Sequence, residues 1–170
     1  MVEWRLNNKL KNKNMNNLVV FYSRTGNTQK IGESIGKELN CEREEIIDTK
    51  NRKGIWGFLI AGKDATLNKE AKIQEPKKDA GLYNLVIIGS PNWNGRMAPA
   101  IRTYIVKNRE KFKKLALFCV YGGSGSQKVL KQMAELCQKE PLALLEVRAK
   151  EIKTGIYQEK VKKFVAGLNV

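Results

Sequence analysis

The chain has 170 residues, 42% of them hydrophobic, which is enough for one domain with a continuous core. It has no histidine, which excludes Ser-His and Cys-His triads and removes the most common zinc ligand, so we expect its chemistry to depend on a bound cofactor. Its 32 Lys and Arg residues outnumber its 17 Asp and Glu residues; the net charge of +15 favours anionic partners, but no basic cluster interleaved with aromatic residues indicates a specific nucleic-acid site.

The first 16 residues are polar, rich in Asn and Lys and without a sustained hydrophobic period, and we interpret them as a flexible extension. They lack the apolar centre of a signal peptide, and no apolar run approaches the roughly 18 residues of a membrane span. The odd number and wide spacing of Cys41, Cys119 and Cys137 favour reduced thiols over disulfides. We therefore expect a cytoplasmic protein without a membrane partner, its one domain spanning residues 17–170.

Short apolar runs alternate with amphipathic segments after this extension. Residues 18–22 predict a buried strand, and Ile31, Ile35 and Leu39 follow at the spacing of one helix face. Further strands are predicted at residues 42–47, 85–88, 115–120 and 142–147, and further helices within residues 53–69, from Pro99, around Met133 and at the C-terminus. Strands that are apolar on both faces and separated by helices indicate a parallel sheet covered on both sides. The sequence thus predicts a doubly wound α/β domain with five parallel strands.

In a doubly wound sheet, ligands bind beyond the carboxyl ends of the strands, which directs attention to the loops after the first, third and fourth predicted strands. The first loop offers hydroxyl and amide side chains and a glycine directly before a helix, where free N–H groups favour an anion. Its residues are Ser23, Arg24, Thr25, Gly26, Asn27 and Thr28. We interpret this loop as a phosphate-binding site; the alternative is a helix whose amides are capped by the Ser and Thr side chains.

Three runs of residues resemble segments of the flavodoxin family: VVFYSRTGNT at 19–28, GSPNWNGRMAPA at 89–100 and VYGGSG at 120–125. The similarity extends from Asn17 to the C-terminus, and residues 54–67 resemble a helical insert of one flavodoxin-like subgroup. It implies a flavodoxin-like fold with strand order 2-1-3-4-5 and helices on both faces, and one bound FMN whose phosphate lies in the first loop and whose ring is flanked by the other two. Besides the first loop, the implied cofactor-binding residues are Ser90, Pro91, Asn92, Trp93, Asn94, Gly95, Tyr121, Gly122, Gly123 and Gly125.

The two flavin-flanking loops also have a physical rationale. Trp93 offers a flat apolar face to a flavin ring, and Gly95 gives the backbone freedom to change the direction of a hydrogen bond. The glycines after Tyr121 allow backbone amides to come close to the ring. The alternatives are a Trp93 that caps the core, a Tyr121 that ends its strand inside the core, a plain glycine turn capped by Ser126, and an Arg24 that reaches the phosphate or points to water.

The resemblance implies a low-potential electron-transfer protein that serves redox partner proteins and has no catalytic residue or metal ligand of its own. Typical carriers of this family are acidic, and the basic charge of this chain predicts acidic partners instead. The main alternative is a flavodoxin-fold enzyme that uses NAD(P)H to reduce a quinone or flavin, and the sequence does not decide between carrier and enzyme. A third hypothesis is an anion-binding or nucleic-acid-binding domain that has lost its flavin.

Overall fold

The computed structural model of the chain describes residues 16–49 and 71–168. The helix predicted within residues 53–69 and nearly all of the predicted extension lie outside the described residues. The strands are β1 (Asn17–Phe21), β2 (Glu42–Glu45), β3 (Leu85–Trp93), β4 (Arg96–Met97), β5 (Lys114–Tyr121) and β6 (Leu144–Arg148). The helices are α1 (Asn27–Glu38), α2 (Pro99–Asn108), α3 (Ser126–Cys137), α4 (Ala149–Thr154) and α5 (Tyr157–Gly167), with 3₁₀ turns at Ala80–Leu82 and Arg109–Lys111. In these described ranges, no helix is both long and apolar enough to cross a membrane.

Five parallel strands form the sheet in the order β2-β1-β3-β5-β6. The short β4 stands outside this order, since it pairs only with β3 and runs antiparallel to it. Counted without β4, the order is 2-1-3-4-5, and the predicted topology is confirmed. Helices α1, α2 and α3 each connect two parallel strands, as such connections require.

Both faces of the sheet are buried, because successive side chains of each strand point to opposite sides. In β1, all of whose residues are buried, Leu18 and Val20 belong to the core cluster that includes α2 and α3. Val19 and Phe21 belong to the second cluster, which includes α1 and α5. The sheet is therefore covered by helices on both sides, as the continuous apolar strands predict.

The structure differs from the prediction where β3 ends. A loop is predicted after residue 88, whereas β3 continues to Trp93 and turns back into β4. The turn consists of Asn94 and Gly95, with φ angles of 56° and 74°. Positive φ at both residues is the mark of a two-residue type I′ hairpin, for which Asn-Gly is a preferred sequence. The predicted loop is thus a β-hairpin, and its Asn-Gly pair was the available sequence signal.

Smaller differences occur at the two edge strands. β2 ends at Glu45 rather than at residue 47, and β6 begins at Leu144 rather than at residue 142. Edge strands bury less of their surface than central strands, so hydrophobicity marks their ends poorly. Helix α4 is not predicted from the sequence, because it has only 6 residues and buries only Ile152.

Gly89 lies directly beside Phe118 in the pairing of β3 with β5. A Cβ atom at Gly89 would overlap the buried Phe118 ring, so we expect Gly89→Ala to lower the free energy of unfolding by about 1–3 kcal/mol, as overpacking does. Urea denaturation measures this loss. Gly167→Ala is the matched control, since a Cβ there meets no atom within 4 Å and should leave stability unchanged or slightly raised. A Gly89→Ala variant as stable as the wild type would contradict this packing.

Candidate functional site

The carboxyl ends of β1, β3 and β5 lie side by side, because these strands are parallel neighbours. The loop after β1, the β3–β4 hairpin and the glycine-rich loop after β5 therefore meet at one edge of the sheet, called the loop edge below. Hydrogen bonds connect neighbouring segments there: the Tyr22 N–H donates to the Gly89 carbonyl over 3.4 Å, and Asn92 Nδ2 donates to the Ser124 carbonyl over 2.6 Å. The three segments that contain the predicted site residues are thus brought together.

Helix α1 begins at the loop edge behind a glycine. Its N-cap residue, Gly26, has a left-handed φ of 88°, and no side chain caps the helix. The Ser23 hydroxyl instead accepts a hydrogen bond from the Gly26 N–H over 3.1 Å, while Thr25 and Gly26 are exposed. The amides of the first helical turn keep their capacity for an outside acceptor. This helix end is therefore suited to an anion.

The other residues of the first loop lie closer to the protein interior. Asn27 is half-buried, and Thr28 is buried in the first turn of α1. That turn contains no acidic residue, so no carboxylate within it opposes an anion. The alternative of a helix capped by the Ser and Thr side chains holds only in part: the Ser23 hydroxyl accepts from the N-cap amide of Gly26, while the N-cap residue itself makes no side-chain cap bond. The phosphate-binding interpretation stays a prediction, and this geometry supports it.

Trp93 stands half-buried at the end of β3, in contact with Tyr22 and Arg24. The Tyr22 and Trp93 rings meet edge to face, with their centroids 5.5 Å apart and their planes at 88°. The Arg24 guanidinium carbon lies 5.9 Å from the Trp93 ring centroid, within the range of a cation–π interaction. Arg24 is therefore placed on an aromatic ring, a position that neither of its two predicted alternatives describes. Trp93 also packs on one core cluster, so its capping role and its position at the loop edge coexist.

Asn92 joins the hairpin to the glycine-rich loop. Its Oδ1 accepts from the Gly95 N–H over 2.8 Å, and its Nδ2 donates to the Ser124 carbonyl. The two segments approach closely, since a Cβ atom at Gly125 would lie 3.5 Å from the Gly95 Cα. Both polar ends of the Asn92 side chain are thus engaged within the protein. It braces the two loops against each other, a role that the resemblance did not imply.

Ser90 is placed inside the fold rather than at its surface. The side chain is fully buried, and its hydroxyl accepts from the Ala98 N–H over 2.9 Å and donates to the Pro91 carbonyl over 2.9 Å. These bonds hold the chain at the start of α2. Pro91 is half-buried and Asn94 is exposed at the tip of the hairpin, so both remain accessible at the loop edge. Their predicted contacts with a cofactor stay predictions.

The glycine-rich loop is open to solvent, and side chains of β6 hold it in place. Gly122 is exposed, and Gly125 is the N-cap residue of α3, with a φ of 91° and no side-chain cap. Arg148 Nε donates to the Gly122 carbonyl over 3.2 Å, and the Ser126 hydroxyl donates to the Glu146 carboxylate. The alternative of a plain turn capped by Ser126 is wrong, because Ser126 lies within α3 and bonds to Glu146.

The remaining predicted residues of this loop lie at the end of β5. Tyr121 is the last residue of the strand and is half-buried beside Arg148 of β6. Gly123 is exposed, and a Cβ atom at Gly122 or Gly123 would meet no atom within 4 Å. Helices α1 and α3 both begin behind a left-handed glycine without a side-chain cap. Two helix N-termini therefore present free amides at the loop edge.

Residues of β2 and β6 that the sequence analysis missed complete the site. Glu146 and Arg148 hold the glycine-rich loop, and Glu45 at the end of β2 accepts from the Ser23 N–H. Burial raises the pKa of Glu45 above its usual value, the Glu33 carboxylate raises it further, and the Ser23 N–H lowers it. The predicted strand order contained the signal for these residues, because it places β2 beside β1 and β6 beside β5.

We expect Asn92→Ala to loosen the hairpin, because it removes the acceptor of the Gly95 N–H and the donor to Ser124. Each of the two lost hydrogen bonds costs about 0.5–1.5 kcal/mol, so amide hydrogen exchange at Gly95 should become about 5- to 150-fold faster. NMR measures this rate residue by residue. Asn108→Ala is the control, since it removes a side-chain bond to the Tyr104 carbonyl in α2 and should leave Gly95 unaffected. Unchanged exchange at Gly95 in Asn92→Ala would refute the bracing role.

No protein-family model and no curated protein match this sequence. Solved structures do match it. A flavoprotein in complex with FMN from Lactobacillus acidophilus NCFM is 24% identical, with a TM-score of 0.68, and the match covers 82% of this chain and 97% of that chain. Oxidised flavodoxin 2 from Bacillus cereus is 15% identical, with a TM-score of 0.59 over 91% of this chain and 97% of that chain.

A third match is to part of a larger protein. Rubredoxin oxygen:oxidoreductase from the anaerobe Desulfovibrio gigas is 16% identical, with a TM-score of 0.52, and the match covers 99% of this chain but 40% of that chain. At such identities the similarity establishes the fold. The chain has the flavodoxin-like α/β fold, which confirms the fold implied by the sequence.

Proposed function

We propose that this protein binds one FMN molecule at the loop edge and carries electrons at low potential between redox partner proteins. One observation carries the proposal: the uncapped N-terminus of α1 lies behind Gly26, in a loop whose Arg24 rests on Trp93. A helix end that attracts anions, next to an aromatic side chain, suits a ligand with a phosphate at one end and a flat ring at the other. FMN is such a ligand, and the Lactobacillus flavoprotein of the same fold is in complex with it.

The residues of the loop edge fit the two ends of FMN. The first-turn amides of α1 and the hydroxyls of Ser23, Thr25 and Thr28 would hold the phosphate, and Trp93 would contact the ring. Gly122 and Gly123 have open space where side chains would otherwise stand, so their backbone would approach the ring's polar edge. Bound FMN would supply reversible electron transfer, which the side chains of this chain do not provide.

The charges and braces at the loop edge match this role. Arg24 places a positive charge beside Trp93, where it would favour the negative charge that reduction adds to a flavin, so we expect the low potential to be less negative than that of a flavin among acidic residues. Asn92 and Arg148 hold the carbonyls of the glycine-rich loop, so its amides are already oriented. Oriented dipoles stabilise a change of charge without further reorganisation, which favours rapid electron transfer.

We also propose the cytoplasm as the location of this protein. Its three cysteines are unpaired, and burial raises the pKa of Cys119 and Cys137 to about 12. Such thiols stay protonated and unreactive at neutral pH. Free thiols in a protein of this size are typical of a reducing compartment.

Titration of the purified protein with FMN tests the binding proposal. We expect quenching of FMN fluorescence at a ratio of one FMN per chain, and visible absorbance of a bound flavin.

Replacing both Thr25 and Thr28 with Val should weaken FMN binding by at least about tenfold, because hydrogen bonds to a charged group contribute about 1.5–3 kcal/mol each. Riboflavin, which lacks the phosphate, is the control ligand and should lose less than about twofold in affinity. Equal losses for both ligands would refute the phosphate assignment, and unquenched FMN would refute the proposal.

The second candidate is a flavodoxin-fold oxidoreductase that uses NAD(P)H to reduce a quinone or flavin. The match to part of the Desulfovibrio gigas rubredoxin oxygen:oxidoreductase favours an enzyme in general, since it places this fold within an oxidoreductase, whereas NAD(P)H and the quinone come from the sequence resemblance. Steady-state NAD(P)H oxidation by the FMN-loaded protein, with a quinone present and no partner reductase, separates the two candidates. We expect a rate no higher than that of free FMN. Sustained turnover would identify the protein as an enzyme rather than a carrier and would leave the FMN-binding proposal intact.

A further inference from the structure

Four basic side chains surround the exposed segments of the loop edge. Each belongs to a different element: the loop after β1, strand β4, helix α3 and the end of β6. Arg24 and Arg96 are half-buried, whereas Lys128 and Arg148 are exposed. We call this set, Arg24, Arg96, Lys128 and Arg148, the basic rim.

The residues of the basic rim lie along the hairpin and the glycine-rich loop. Arg24 lies on Trp93, and Trp93 pairs with Arg96 across the hairpin. On the other side of the turn, the Lys128 Cδ lies 3.8 Å from the place of a Cβ atom at Gly95. The rim then continues along the glycine-rich loop to Arg148, which donates to the Gly122 carbonyl.

Carboxylates next to this part of the loop edge are engaged within the protein. Glu146 accepts from the Ser126 hydroxyl, and Glu151 accepts from the Arg148 N–H over 2.7 Å. Glu151 also forms an ion pair with Lys160 at 2.8 Å. Lys160 thus offsets the charge of Glu151, and the Ser126 hydroxyl satisfies one oxygen of Glu146 without neutralising it, while Lys128 and Arg148 are exposed at the surface.

The opposite side of the loop edge, near β2, carries acidic residues. Glu45 ends β2, Glu33 lies close enough to it to shift its pKa, and Asp48 follows the strand. The segments 23–28, 91–98 and 121–126 contain no acidic residue at all. Among residues 16–49 and 71–168, the positive charge of the loop edge therefore lies at the hairpin and the glycine-rich loop, and its negative charge lies near β2.

We infer that the basic rim is a docking surface for an acidic protein that exchanges electrons with the bound flavin. The inference rests on the proposed function, since it concerns the partner of the same site. The four cations come from four separate elements, and this spread suits a partner with several carboxylates better than a ligand with a single phosphate. Charge complementarity mainly accelerates encounter, and small, polar interfaces are typical of transient redox complexes.

Oxidation of the reduced, FMN-loaded protein by the anion ferricyanide tests this surface. Anionic poly-glutamate serves as a competitor for the basic rim. Lys128→Glu should lower the second-order rate constant about threefold at low salt, and Lys128→Glu with Arg148→Glu about tenfold. With the cationic oxidant hexaammineruthenium, the same substitutions should instead raise the rate constant. About 0.5 M salt should remove most of either effect, because exposed charges are then screened.

The matched control is Lys113→Glu with Lys114→Glu, which changes the net charge equally. Both lysines are exposed at the start of β5, at the end of the sheet opposite to the loop edge. We expect this pair to lower the ferricyanide rate by less than about twofold. Poly-glutamate should slow ferricyanide oxidation of the wild type and of this control but not of the Lys128→Glu, Arg148→Glu variant.

The outcomes separate this inference from the proposed function. Equal effects of the rim pair and the control pair on a flavin-loaded protein would show that only net charge acts, and would overturn the docking surface. NADPH or duplex DNA that competes through the rim more strongly than poly-glutamate would assign it to that ligand and would also overturn it. A wild-type protein that binds no FMN would refute the proposed function instead. Bound flavin is therefore verified by absorbance in every variant before rates are measured.

Discussion

The parallel pairing of β3 with both β1 and β5 is the constraint on which the rest of the structure depends. It buries β3 at the centre of the sheet and brings three carboxyl ends to the loop edge. Gly89 permits this pairing, since the Phe118 ring of β5 occupies the space that a side chain would need. Ser90, the next residue, then uses its buried hydroxyl to hold the start of α2. The central strand thus aligns both the sheet and the chain that leaves it, and the positions of the hairpin and both loops follow.

A glycine-rich loop loses much conformational entropy when it becomes ordered, and here side chains from neighbouring elements offset that loss. Asn92 bonds it from the hairpin, and Arg148 bonds it from β6. The braces extend further, because Lys160 of α5 donates to the Glu146 carbonyl over 3.2 Å and pairs with Glu151 of α4. The order of this loop therefore depends on the last two helices of the chain, which lie outside every segment that the resemblance assigned to the cofactor.

Much of the fold was predictable because its central strands are apolar on both faces. β1 and β5 appear as uninterrupted apolar runs, and no other structure of that length explains them as well. The hairpin was missed because Pro91 and Gly95 interrupt the pattern of a strand, although Asn94 before Gly95 indicated a turn. The hydrogen bonds that hold the loops in place could not be predicted from local sequence patterns. Whether Glu146 lies near Ser126 depends on which strands are neighbours, and Arg24 meets Trp93 only after β1 and β3 have paired. Side-chain chemistry alone therefore indicated a candidate phosphate-binding loop but not the residues that orient its surroundings.

Helices α1 and α3 begin at the same edge behind left-handed glycines, with no side-chain cap on either. Their attraction for anions comes from peptide dipoles, which neither gain nor lose protons. Arginine also keeps its charge at any physiological pH, and the chain has no histidine. An anion held here would therefore meet nearly the same positive field in acidic and in alkaline surroundings. Any response to acidity would have to arise from the anion itself or from carboxylates at the loop edge, such as Glu45, whose pKa is raised by burial. The attraction of these helix ends and arginines for an anion is therefore nearly independent of pH over the physiological range.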